Sequence, residues 1–427
     1  MIVRQFLHWV RTAPPGERAE ATSALARAYL FSDLGPDDRS AAEGAMIMLL
    51  DDASPLVRQA LAEVLAPSHR APPAIIQALA DDQPDVAVIV IERSPLFIDA
   101  DLVDLVATGT PVVQAAVARR VPLQCAVAAA IAEVGSPESC LILIENPEAE
   151  IALFSIDRIV DRFGHVAAIR EALLWRTDLP APTRQALVSK LSATLADFVA
   201  ARAWLETDHA HRIAKEACEK ATVALAAQSP AGETGPLIRH LCASNQLTAG
   251  LILRALLSGN VVLFEQALAE LSGLPLGRVR GLVHDNGGAG FRAIYDRAGL
   301  PGSAWPAFRA AIEAMREASH AEPGGASQLK RRMIERVLTG CKDAEIGEVE
   351  PLLTLLRRFA TEAARACRDY GFQQLNAAYL ISLIRPENLP SRRVAERNRM
   401  TIWKQALHAG LLHDVYRVQR EDWLQKS

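Results

Sequence analysis

The stretch His284-Asp-Asn-Gly-Gly-Ala-Gly290 places three glycines in four positions, and Arg278, Arg280, Arg292 and Arg297 surround it. Residues of these types can hold a phosphate. Backbone without Cβ lets N–H groups converge on an anion, and the N-terminus of a following helix adds a favourable field. On that chemistry Arg278, Arg280, His284 and Arg292 are the candidate anion-binding residues, for a small ligand such as a nucleotide. The competing reading is a helix stop and turn. A phosphate loop or dinucleotide site needs a strand before its glycines, and the former also a Lys-Ser/Thr pair; neither is present here. At 100° per residue, Leu276, Val279, Leu282 and Val283 share one face, and after the glycines Phe291, Ile294, Tyr295 and Ala298 share another. The stretch therefore reads first as a turn between two amphipathic helices, with "SGLP" and "AGLP" as further helix stops at Gly273 and Gly299.

Other reactive residue types form no recognisable set. In Asp208-His209-Ala210-His211 the two histidines point about 200° apart on a helix and cannot share a metal, even with Glu206 and Cys218 nearby. The six cysteines, Cys125, Cys140, Cys218, Cys242, Cys341 and Cys367, include no C-x-x-C pair and read as reduced core residues of a cytosolic protein. No nucleophile elbow, HExxH or Walker motif occurs. The sequence thus assigns no catalytic residue, metal ligand or cofactor, and the expectation is a non-enzymatic protein.

Charge supplies a different candidate. The net charge is −4, but residues 328–427 hold 18 Lys/Arg against 12 Asp/Glu while residues 1–327 hold 28 against 38. In the basic part, Pro351–Tyr370 reads as an amphipathic helix. Leu352, Leu355, Leu356, Phe359, Ala363, Ala366, Cys367 and Tyr370 line one side, and Arg357, Arg358, Arg365 and Arg368 the other. A basic turn with Arg392, Arg393, Arg397 and Arg399 follows. These eight arginines are the candidate partner-binding surface, for an acidic protein or a nucleic-acid backbone. Trp403 reads first as a core residue, with a hot-spot anchor for the partner as the alternative.

The elements that would position these groups read as helical throughout. Half the chain is hydrophobic and only 5% aromatic, and Ala and Leu, which dominate, lose little on entering a helix. The first half repeats a pattern. Segments starting at Leu50, Leu79, Val106 and Ile142 each carry a polar turn and then Pro55, Pro84, Pro111 or Pro147. Apolar residues follow at helical spacing, among them Val57, Val86 and Val113. Proline suits the first turn of a helix, and single units of this kind bury their apolar faces only by stacking. "LLDDASPLVRQALAEVL" closely resembles a HEAT repeat, including Arg58; the later units carry Ala87, Gln114 and Glu150 there. A long helix is expected over Ala201–Ala226, and shorter ones over Leu237–Cys242, Leu247–Ser258 and Val261–Leu271.

The segment "AELSGLPLGRVRGLVHDNGGAGFRAIYDRAGLP", with "LVDLVATG" and "AVARRVPL" upstream, resembles the bacterial family of domain of unknown function 2336, seen mainly in alphaproteobacteria. The likeness spans residues 45–320. It implies an all-helical fold in a bacterial cytosol and carries no activity or catalytic residues with it.

The expected fold is all-α: HEAT-like helical repeats forming a solenoid over 1–200, a central helical domain of the family type over 201–320, and a basic C-terminal helical extension over 329–427 after the linker "HAEPGGASQ". No apolar run approaches the roughly 20 residues of a membrane span, and no signal peptide is visible, so a cytoplasmic location is expected. The expected function is a protein–protein interaction scaffold or adaptor using stacked-helix surfaces. Nucleic-acid binding through the basic helices, or sensing of an anionic ligand at the glycine turn, stands as the alternative.

Overall fold

The computed structural model describes residues 9, 12–285, 288–319, 364–365, 368–408 and 410–424, together with Met333, Ile334, Arg336, Val337 and Thr354. The chain forms two compact units, Met1–Leu179 and Pro180–Ser427.

The first unit holds helices α1 (Pro15–Phe31), α2 (Pro36–Leu49), α3 (Pro55–Leu65), α4 (Pro73–Ala80), α5 (Pro84–Arg93), α6 (Asp99–Thr108), α7 (Pro111–Ala118), α8 (Cys125–Val134), α9 (Pro137–Glu145), α10 (Leu153–Phe163) and α11 (Ala167–Leu174). Proline opens seven of them. Its fixed φ is already helical, and the N–H it lacks would have had no partner there. Helices pack on the next but one: α1 on α3, α3 on α5, α5 on α7, α7 on α9 and α9 on α11, with α6 on α8 and α8 on α10 as a second row. Val57 and Val86 are wholly buried at matching places in α3 and α5, as their spacing after proline predicts. Val113 is only half-buried; in α7 the burial passes to Gln114–Ala118.

Long polar side chains fix these rows. Arg18, three residues after Pro15, grips Asp52 through Nε and Nη2 at 3.0 and 2.7 Å. Arg58, three after Pro55, does the same to Asp82 at 2.6 and 3.0 Å. In α7 Gln114 takes this place, donating to the Val106 carbonyl and accepting from the Ser136 N–H. Arg120 donates to the carbonyls of Ile91 and Ser94, and Arg162 to those of Ala132 and Gly135, so two guanidinium groups satisfy carbonyls at the ends of α5 and α8.

The fourth proline does not start a helix. Pro147 lies in a turn, and Pro137 opens the helix before it. The cause is Asn146. Its amide donates to the carbonyls of Ala118 and Arg120 while its oxygen accepts from the Glu148 N–H. Leu123 then exchanges backbone bonds with Glu148 and Glu150, holding the chain extended until α10.

The second unit begins with a hairpin of α12 (Ala181–Ala201) and α13 (Thr207–Gln228). The long helix expected from Ala201 therefore starts at Thr207. Before it the chain turns back, with Ala203 at φ 54°. Arg202 pins the turn by stacking on Phe198 and Trp204, which meet edge to face. Then come α14 (Thr234–Ala243), α15 (Ala249–Leu257), α16 (Val261–Ser272), α17 (Leu276–His284), α18 (Ala289–Arg297) and α19 (Trp305–Ser319). Every residue of α15 is buried. Phe264, Phe291, Tyr295, Trp305 and Phe308 pack as one aromatic group between α16, α18 and α19. Gly273 and Gly299 take the left-handed conformation past α16 and α18, as helix stops do.

The chain is mostly helical but not all-α. Near its C-terminus β1 (Tyr379–Ile384), α20 (Leu389–Arg397), β2 (Thr401–His408), β3 (Leu411–Gln419) and α21 (Arg420–Leu424) form an antiparallel sheet of strand order β1-β3-β2 with attached helices. Alternating apolar residues in "YLISLI" and "LLHDVYRVQ", rich in β-branched and aromatic side chains, favour strands. Ile384, Ala395 and Tyr416 form a small core beneath the sheet. Trp403 is not a core residue. It sits on edge strand β2 at a register shift, half-exposed, with Lys404 and Arg417 at 4.4 and 4.6 Å from its ring. Of the helix expected over Pro351–Tyr370, the described residues Thr354, 364–365 and 368–370 are helical, and Tyr370 is exposed rather than on a buried face. Leu352, Leu355, Leu356, Phe359, Ala363, Ala366 and Cys367 lie outside the described residues.

Candidate functional site

The glycine turn lies between α17 and α18, as expected for a link between two amphipathic helices. Gly288 has φ 72° and stands at the start of α18, not at the end of α17; Asp285 there is extended. Gly287 is outside the described residues. Gly290 meets a steric demand. A Cβ there would lie 2.9 Å from Leu282 Cδ2 and 3.3 Å from the Leu282 carbonyl oxygen, so its bare backbone lets α18 approach α17.

The four candidate anion-binding residues do not converge on one point. Arg280 Nε and His284 Nε2 each lie 2.8 Å from the Glu265 carboxylate, one on each oxygen. Helical spacing puts both on one side of α17, and α16 supplies the acid. Glu265 is 5% exposed, while Arg280 and His284 are about half exposed. Arg292 pairs with Asp296 at 2.8 Å and covers the Trp305 ring at 4.5 Å. Arg278 is exposed. Arg297 donates to the Ser272 carbonyl, and Arg316 to that of Val283. Two of the four candidate residues thus already serve an internal carboxylate. Sequence reasoning missed Glu265, although it falls in line with Val261, Leu268 and Ser272 along α16, an acid on an apolar stripe.

A second polar centre lies deeper. Glu219 on α13 faces Arg254 on α15 at 3.5 Å and accepts from Thr248 Oγ1, which also caps α15 through the Leu251 N–H. Burial pushes the Glu219 carboxyl above its usual range, against the opposing pull of Arg254 and Lys215. Close by, Gln185 donates to Gln246 at 2.8 Å, and His240 Nε2 meets the Gln185 carbonyl oxygen at 3.0 Å. Burial also raises the Cys218 thiol, despite hydrogen bonds with Ser192, Thr222 and Ser189. His211 lies 3.5 Å from Asp197 across the hairpin. Among the described residues no group of three His, Cys, Asp or Glu side chains is placed to hold a metal ion.

The arginines of the basic segment divide. Arg392 donates to Tyr416 Oη and the Pro386 carbonyl, and Arg368 to Asp369 and the Asn398 carbonyl, so both hold the sheet region together. Arg365, Arg393, Arg397 and Arg399 are exposed, Arg393 and Arg397 one turn apart on α20. Arg357 and Arg358 lie outside the described residues.

Residues 86–346 match the family model described as "Uncharacterised protein conserved in bacteria (DUF2336)". The chain belongs to this family. The DUF2336 region runs from α5 past α19 and so contains the glycine turn, Glu265 with Arg280 and His284, and the Glu219–Arg254 centre. Residues 355–401 match a second model, "Acetyltransferase (GNAT) domain". That stretch includes β1, α20 and the first residue of β2, and it leaves room for an enzyme activity that the expectation of a non-enzymatic chain did not allow. No curated protein and no solved structure matches the chain. No helix among the described residues is long and apolar enough to cross a membrane.

Proposed function

We propose that this DUF2336 protein is a cytoplasmic interaction scaffold whose N-terminal unit works as a HEAT-like solenoid presenting stacked helices to a protein partner. One observation carries the reading. Leu174-Trp175, at the end of α11, stands in water, with Trp175 86% exposed. Leaving such side chains exposed forgoes about 1.5–3 kcal/mol each. Tryptophan is among the residues most enriched where a partner's pocket recovers that loss. The next-but-one packing of α1 to α11 supports a repeat platform, and the free thiols of Cys125, Cys140, Cys218 and Cys242 suit a reducing compartment.

The test is capture from lysate of the source bacterium by the full chain and by a Leu174→Ser/Trp175→Ser variant. The variant is expected to melt like the parent and to lose a specific band that the parent retains. Identical capture by both would refute the assignment of this surface. A second reading, acetyl transfer, rests on the match over residues 355–401. Acetyl-coenzyme A raising the melting temperature of the full chain, with turnover on an amine acceptor, would put it first.

A further inference from the structure

The hairpin of α12 and α13 carries a surface that the reading above does not use. Its root is packed, α12 on α14 and α13 on α15. Among the described residues its distal half is open: between Leu191 and Ile213 just Ala196 and Ala210 are buried. Leu191, Leu195 and Phe198 recur on α12 at i, i+4 and i+7, and half-buried Val188 extends the row by one more step of three. The row lies about 80–160° around the helix from Ala196, so it faces away from the buried seam. Trp204 continues it at the tip through its edge contact with Phe198, 5.9 Å between ring centres.

We propose that this row is a dimerisation surface whose occupant is a second copy of the chain, the two hairpins forming an antiparallel four-helix bundle. Exposure of 38% at Leu191, 53% at Leu195, 46% at Phe198 and 63% at Trp204 corresponds to roughly 450 Å² of apolar surface per copy. Two copies bury about 900 Å² from these side chains alone, and the polar flanks bring the total to the 1,000–1,200 Å² or so at which stable association begins. The alternating steps of three and four are the spacing by which helices interdigitate. Two-fold pairing lets one self-complementary row serve both copies. A two-helix hairpin has no third layer of its own, which is why the row stands open in a single chain.

Sedimentation equilibrium of the full chain at tens of micromolar is expected to give a species of twice the 46.2 kDa chain mass. Leu195→Glu/Phe198→Glu should raise the dimer dissociation constant at least about 100-fold and leave the helix content by circular dichroism unchanged, while the melting temperature loses its dependence on protein concentration. As an independent measurement, Leu195→Cys should form a covalent dimer under mild oxidation much faster than the parent chain. A monomeric parent, a double variant that dimerises like the parent, or a Leu195→Cys chain that fails to cross-link would each overturn the proposal. The row is separate from Leu174-Trp175, so loss of self-association and loss of partner capture are distinguishable.

Discussion

Glu265 with Arg280 and His284 allows a prediction in which direction matters more than size. The carboxylate is 5% exposed, whereas Arg280 and His284 are 50% and 52% exposed. Removing the acid leaves two half-exposed side chains that can turn into water. Removing both partners leaves a buried carboxylate that cannot. Arg280→Ala/His284→Ala should therefore cost about 3–5 kcal/mol, the usual penalty for stranding a buried charge. Glu265→Leu should cost no more than about 1 kcal/mol, since the desolvation of the carboxylate disappears with its hydrogen bonds. Adding Glu265→Leu to the double variant should then recover most of the loss. Urea unfolding followed by circular dichroism reads all three. With slopes on the order of 1–3 kcal/mol per molar, the double variant should shift the midpoint by about 1 M or more. If Glu265→Leu proves as damaging as the double variant, or fails to rescue it, the acid is not the buried member on which the group depends.

Val86→Asp should destabilise the first unit by several kcal/mol, because Val86 is wholly buried and a carboxylate there has no partner; unchanged thermal melting would refute its core placement. Gly288→Val should cost about 1–2 kcal/mol through the strain of φ 72° at a β-branched residue, with or without an added anion, as differential scanning calorimetry would show. Burial pushes the Asp52 carboxyl up, but hydrogen bonds from Arg18 and the Ser54 N–H, with the charges of Arg18 and Arg58, outweigh it and hold the group below its usual range. Its contribution is thus present above about pH 4 and lost as pH falls through the folded value. Asp52→Asn should lower the melting temperature at pH 7, and the gap from the parent should narrow steadily below pH 4. Replacing Arg392 by Ala should loosen the C-terminal sheet, seen as faster amide exchange in β3, because its guanidinium ties α20 to Tyr416 and Pro386.

Much of the helical architecture is legible in the sequence because its signals are local. Proline at a first turn, a left-handed glycine past a last turn, and apolar residues every three or four positions place α3, α5, α7, α16, α17 and α18 closely. Three features are not local. Pro147 carries the same sequence mark as Pro55, yet Asn146 binds carbonyls 26 and 28 residues back and commits the chain to a turn. Glu265 lies in the apolar run "VVLFEQALAEL", and its importance comes only from α17 folding back to bring Arg280 and His284 against it. The sheet was hidden by its own arginines. A run of charge suggests a solvated helix, while the alternation that marks strands is short and broken by the shift at Trp403. In the candidate anion group the residue types were visible, but an internal carboxylate that had already engaged two of them was not.

The strand order β1-β3-β2 has a consequence for how the chain is made. Among the described residues strands β1 and β2 do not pair with each other; each finds its backbone partner in β3, the last of the three to be synthesised. During translation both wait on the ribosome with open hydrogen-bonding edges until residues 411–419 have emerged. A chain ended at Gly410 would lose every rung of the sheet and not one strand in three. Residues 411–419 therefore act as the keystone of this region, and a frameshift or protease cut near them should expose two sticky edges at once.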